Sequence, residues 1–185
     1  MAAKLEFPMA NVAPTKQDYR NAMAQLGAAA SIVTTSGGAG RAGFTASAVC
    51  SVADDPPILL VCLNRSASVY ETFQRNGHLC VNVLTSEHIG LAGIFGGRTD
   101  SEARFAAASW TAMETGSPVL ESSAVAFDCR IENVVPVQSH DILLCRVLAL
   151  KQRACGQSLI YFNRSFHTVS VATSPRIELR TQSPT

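Results

Sequence analysis

Val125, Phe127, Cys129 and Ile131 alternate along the chain with Ala126, Asp128, Arg130 and Glu132. A period of two is the spacing of a β-strand, and here it predicts an antiparallel strand with one wet face. Shorter runs repeat the pattern elsewhere. SIVTTS (31–36) is β-branched, GGAGR (37–41) is a turn, and GFTASAVCSV (43–52) returns as a second strand, giving a hairpin. ADDPP (53–57) turns again before ILLVCL (58–63), an apolar run that reads as a buried strand. HLCVNVL (78–84), DILLCRVLALKQ (141–152) and SLIYFNRSFHTV (158–169) supply three more.

Helical spacing is confined to short pieces. Thr15 and Asp18 open a helix on which Tyr19, Met23 and Leu26 recur until Gly27. Ser68 and Glu71 form a second capping box ahead of a helix closed by Gly77, with Val69 and Phe73 on one face. SEHIGLAGIFGG (86–97) and TDSEARFAAASW (99–110) add short helical turns. Strands with few and short helices predict a mainly β fold, a small barrel with helical decoration. The expected layout is an arm (1–15), one domain (16–169) and a polar tail (170–185).

Hydrophobic residues make up 47% of the 185 and charged residues 16%, a folded composition. With a net charge of +1, 6% aromatics and no basic run, no nucleic-acid partner is expected. No apolar run approaches the ~20 residues that cross a bilayer. The opening MAAKLEFPMANVAPTKQDYR lacks a signal-peptide core, so no membrane partner and a cytoplasmic location are expected. The six cysteines (Cys50, Cys62, Cys80, Cys129, Cys145, Cys155) form no CxxC pair and read as small core residues. Four scattered histidines give no ligand spacing, and no metal site is expected. GAGRAG (38–43) matches a dinucleotide fingerprint literally, but FTASAVCSV follows it where a helix should open. It reads as a hairpin turn.

Three segments carry candidate chemistry. In the strand containing Thr45, Ala46, Ser47, Ala48 and Val49, small side chains let a flat ligand lie against the backbone. They equally suit close strand packing at a barrel corner. In NRSAS, Asn64, Arg65, Ser66 and Ser68 gather donors at a helix start, which suits either an anion or ordinary capping. His140, in the SHD turn, and His167 sit at strand ends, as ligand contacts or as solvated residues. Neither joins a triad, since no serine stands in a nucleophile elbow.

In their order, FTASAVCSVADDPPILLVCLNRSAS, GHLCVNVL, GIFGGR, RF and GSPVLESSAVAFDCRIENVVPVQSHDILLCRV resemble the short-chain flavin reductases, over about residues 16–169. These are reductase components of two-component flavin-dependent aromatic monooxygenases. The resemblance implies a split β-barrel of the Greek-key, flavin-binding type, usually a homodimer with the flavin near the interface. It implies reduction of free FAD or FMN by NADH (FAD slightly preferred), and a diffusible reduced flavin passed to a separate oxygenase acting on a phenolic substrate. Carried over by position, Thr45, Ala46, Ser47, Ala48 and Val49 line the isoalloxazine edge. Asn64, Arg65, Ser66 and Ser68 hold the phosphate region, and Asn82 approaches the flavin from its strand. His140 is then the catalytic contact on the nicotinamide side, and the segment from Tyr161 to His167 closes over it.

Overall fold

The computed structural model describes residues 13–154 and 156–170. The arm and tail, and Cys155 among the expected core cysteines, lie mostly or wholly outside them.

Ser31–Gly37 (β2) and Gly40–Ala46 (β3) form the expected hairpin, with Gly37 opposite Gly40. Gly40 turns at a φ of +94°, a conformation that costs glycine little. The literal GAGRAG match therefore lies in a β-turn and strand, and no helix starts there. GFTASAVCSV is not one strand. It breaks at Ser47 and Ala48, and the chain resumes as Val49–Asp54 (β4), which pairs with Pro57–Asn64 (β5).

His78–Val83 (β6), Val125–Val137 (β9) and His140–Gln152 (β10) complete a seven-stranded antiparallel sheet of order β3-β2-β6-β9-β10-β5-β4. Its free edges, β3 and β4, are neighbours in the chain, joined only through Ser47 and Ala48. That short link draws the two edges together at one end and curls the sheet.

Two smaller sheets flank it. Ala28–Ala29 (β1), Gln157–Phe162 (β11) and Ser165–Ser170 (β12) form one, and Trp110–Ala112 (β7) with Pro118–Leu120 (β8) form the other. SLIYFNRSFHTV is thus a hairpin instead of one strand. Its turn is made by Asn163 and Arg164, both at positive φ. Only Asn signals such a turn in sequence, and an arginine there is why the break went unseen.

Burial follows from two cores on opposite sides of β2. Val33 joins Leu63, Phe73, Leu79, Val81 and Leu143 on one side. Ile32 joins Leu84, Leu91, Phe95, Phe105, Leu120 and Leu159 on the other. Phe73 comes from helix α2 (Tyr70–Asn76), whose N-cap is Val69 without a side-chain bond, so the expected Ser68–Glu71 box does not form. The second core is roofed by α3 (Ile89–Gly96) and α4 (Ser101–Ala106). The predicted wet face of β9 is half wrong. Ala126 and Asp128 are wholly buried. The segment between β7 and β8 covers them, and the Thr115 backbone N–H and hydroxyl donate to the Asp128 carboxylate.

Helix α1 (Lys16–Met23) has the predicted capping box between Thr15 and Asp18. It buries nothing: Tyr19, Met23 and Leu26, just past its end, are 61%, 44% and 63% exposed.

Candidate functional site

Strand β3 borders two cavities. One, of about 390 Å³, is walled by Thr45, Ala46 and Ser47 on one side and by Ala92, Gly93 and Gly96 of α3 on the other. Tyr161 and Phe166 close its end. Every side chain on the two long walls is small. A Cβ at Gly93 would meet nothing within 4 Å, so the glycine leaves open space where any other residue would fill it. The Thr45 hydroxyl donates to the Ala92 carbonyl at 2.7 Å, tying strand to helix across the slot. The result is a slot lined by small side chains where strand and helix meet, with aromatic rings at one end, a surface suited to a planar, mostly apolar ring system.

The second cavity, of about 430 Å³, is lined by Arg41, Arg98, Arg104, Ser68 and Thr72, with Asp100 on its wall. Gly97 belongs to the walls of both cavities. Arg104 is only 8% exposed, and its guanidinium donates to the Gly43 carbonyl at 2.7 Å and the Gly97 carbonyl at 2.9 Å. Its Nε has no partner, and among the described residues no carboxylate forms an ion pair with it. Asp100 is occupied as the cap of α4, accepting from the Ala103 N–H. A buried guanidinium without a counter-charge is costly, and with Arg41, Arg98 and Arg104 against Asp100 the cavity wall is electrostatically suited to an anion. Gly43 is required here as well. A Cβ on it would stand 2.7 Å from the Phe95 ring, forcing α3 away from β3.

The sequence-predicted residues distribute unevenly around these cavities. Thr45, Ala46 and Ser47 line the slot, whereas Ala48 and Val49 turn into a separate groove beneath α1, shared by Ser47, Cys50 and Leu60. Ser68 reaches the arginine cavity, but Asn64, Arg65 and Ser66 do not. Asn64 Oδ1 instead accepts from the Ser66 N–H and hydroxyl, forming a local turn. Arg65 is locked onto Asp141: Nε and Nη2 donate to one carboxylate oxygen at 2.7 and 2.6 Å.

The other Asp141 oxygen accepts from Tyr70 at 2.6 Å and Gln74 at 3.1 Å. The Tyr70 hydrogen bond, helped by Arg65, holds the Asp141 carboxyl below its usual range. His140 lies directly opposite Asn64 in the β5–β10 register, exposed and bonded to the Ser139 hydroxyl. It lines neither cavity.

Two expected contacts fall elsewhere for clear geometric reasons. Asn82 is wholly buried, with its amide nitrogen directed at the Ile32 carbonyl and Thr34 hydroxyl and its oxygen accepting from the Leu120 N–H. It clamps β2, β6 and β8 together and has no polar atom left for a ligand. On β12 successive side chains alternate faces, and Phe166 takes the slot face opposite Tyr161. His167 is therefore turned to the other face, where it bonds the Phe162 carbonyl. Phe166 fell within the Tyr161–His167 segment without being singled out, and Arg41, Arg98 and Arg104 of the cavity wall were not named. The last two stood in the GIFGGR and RF segments already picked out, but isolated arginines carry no spacing signal.

Known proteins resemble this chain over most of its length. A family model described as "Flavin reductase like domain" matches residues 23–170. The "FMN reductase (NADH) RutF" of Bradyrhizobium diazoefficiens is 58% identical over 167 residues, covering 90% of this chain and 92% of its own. The protein of the same description from Variovorax paradoxus is 59% identical over 84% of this chain and 86% of its own. A crystal structure from Haemophilus somnus, of a protein assigned as a flavin reductase, superposes with a TM-score of 0.82 at 48% identity, covering 84% of this chain and 99% of that one. The Streptomyces globisporus NADH:FAD oxidoreductase SgcE6, in complex with NAD and FAD fragments, has the same fold at 20% identity, with a TM-score of 0.79 over 93% of this chain and all of its own.

Proposed function

The chain belongs to the flavin reductase-like domain family, and from that premise we propose that it reduces free flavin with NADH and releases the product. It is an NADH-dependent flavin reductase, with flavin and NADH as its cofactors. The rolled sheet, open between β3 and β4, we read as the split barrel of the resemblance. The observation that carries the site is the pairing of a small-walled slot with a buried, uncompensated Arg104 next to it.

The residues present fit a flavin. Thr45, Ala46, Ser47, Gly93 and Gly96 would offer the ring system a surface free of large side chains. Tyr161 and Phe166 would cover its end, and Arg98, Arg104 and Ser68 would hold the phosphate. When bound, the flavin accepts a hydride from the nicotinamide, so the protein's task is to position two rings and exclude water. The slot needs no acid, base or metal for that task. His140, at the exposed start of β10 with Asn64 opposite it on β5, would face the nicotinamide only as the resemblance implies, since it lines neither cavity.

FMN is the flavin we favour over FAD, because the relatives above half identity are FMN reductases by description. This reverses the slight preference for FAD. The reduced flavin would pass to a separate oxygenase. It carries electrons and not substrate structure, so the phenolic substrate in the resemblance leaves no mark on this site. The deciding experiment is NADH oxidation with FMN, FAD and riboflavin in turn. Turnover of added flavin far beyond the protein concentration is expected; NADH oxidation indifferent to added flavin would overturn the reading.

A further inference from the structure

We propose that Glu102 biases this enzyme toward a flavin mononucleotide by keeping Arg41 from a second phosphate. The proposal rests on the reading of the arginine cavity as the phosphate site. Three arginines line that cavity. Arg98 and Arg104 have no carboxylate partner among the described residues, whereas Arg41 Nη2 lies 3.3 Å from Glu102 Oε2 and 3.4 Å from Oε1.

Arg41 is further fixed by the ring of Phe105, 4.4 Å below its guanidinium carbon. Its backbone carbonyl accepts from the Ser101 hydroxyl, which brings the start of α4 against β3. Glu102 itself is 85% exposed and stands at the solvent side of Arg41.

The two ligands carry similar total charge, but the mononucleotide concentrates it on one phosphate and the dinucleotide spreads it over two. A phosphate monoester carries a charge near −2 at neutral pH, which the two unpaired arginines match. A dinucleotide presents a second phosphate, with an adenosine beyond it, that must run outward from the anchored first one. Running out past Arg41, it would find that cation already engaged by the Glu102 carboxylate. An exposed ion pair of this kind is weak and salt-sensitive. It biases the choice a few-fold and does not forbid the dinucleotide.

The test measures dissociation constants for FMN, FAD and riboflavin by quenching of flavin fluorescence, without NADH. Glu102→Gln is expected to tighten FAD relative to FMN by about threefold at low salt, and Glu102→Lys by more. In an Arg41→Ala background the same substitutions should lose that gain. An FAD-to-FMN ratio unmoved by Glu102→Gln and Glu102→Lys overturns the proposal. Arg98→Ala separates it from its premise: it should weaken FMN but not riboflavin. If Arg98→Ala affects both equally, the phosphate assignment fails as well. If it discriminates while the Glu102 variants do not, the phosphate site stands and the selection falls.

Discussion

At the scale of single residues, the site is defined by what is missing from side chains. Ser47 is exposed on the slot wall, so an indole there would fill the space between strand and helix without entering either core. Ser47→Trp should weaken flavin binding at least tenfold, roughly 1.4 kcal/mol, with little change in melting temperature. Flavin titration and thermal unfolding of the same preparation check both halves. Asp141 is the opposite case, a buried carboxylate whose charge is satisfied four times over. Its depressed pKa means that the unfolded chain binds the proton more readily than the native one. The stabilisation is then complete above the unfolded value of about 4 and is lost as pH falls through the lower native value. Asp141→Asn should therefore lower the melting temperature at pH 7, and the gap from the parent protein should narrow below pH 4. A gap independent of pH would show that the carboxylate charge is not what matters.

At the scale of elements, strands that pack on two cores leave their thiols inert. Burial pushes the Cys145 thiol up to about 12, and it raises Cys80 and Cys129 further still. A neutral, inaccessible thiol is a poor nucleophile. An aromatic disulfide reagent should modify Cys50, exposed on β4, before denaturant is added, and reach Cys80, Cys129 and Cys145 only afterwards. Mass mapping of the labelled peptides reads this directly. The strands themselves were legible because β-branched and apolar runs ended in glycine and proline turns. Three things were not. The Ser47–Ala48 corner interrupts a run that looks continuous. The Asn163–Arg164 turn uses an arginine at positive φ. The covered face of Asp128 depends on a distant hairpin, and a strand's own pattern cannot report what lies over it. NRSAS misled for a related reason: its donors were visible, but the Asp141 that holds Arg65 arrives from β10.

At the scale of the molecule, one surface is unfinished. Tyr19, Met23 and Leu26 recur at helical spacing on α1 and its end, yet they are exposed over a groove of about 830 Å³ floored by Ala48, Val49 and Leu60. Among the described residues this is an apolar helix face with nothing packed on it, and the homodimer implied by the resemblance would cover it. Met23→Glu combined with Leu26→Glu should shift the protein from dimer to monomer in sedimentation velocity while leaving the circular dichroism spectrum of the β fold unchanged. A dimer that survives both charges would place the interface elsewhere. Among the described residues no helix is long and apolar enough to cross a membrane.

Ser47 and Tyr161 stand in the walls of the slot and of the groove beneath α1 alike. A second copy seated in that groove would therefore touch two residues of the slot wall, and whatever lies in the slot would have a subunit boundary for its neighbour.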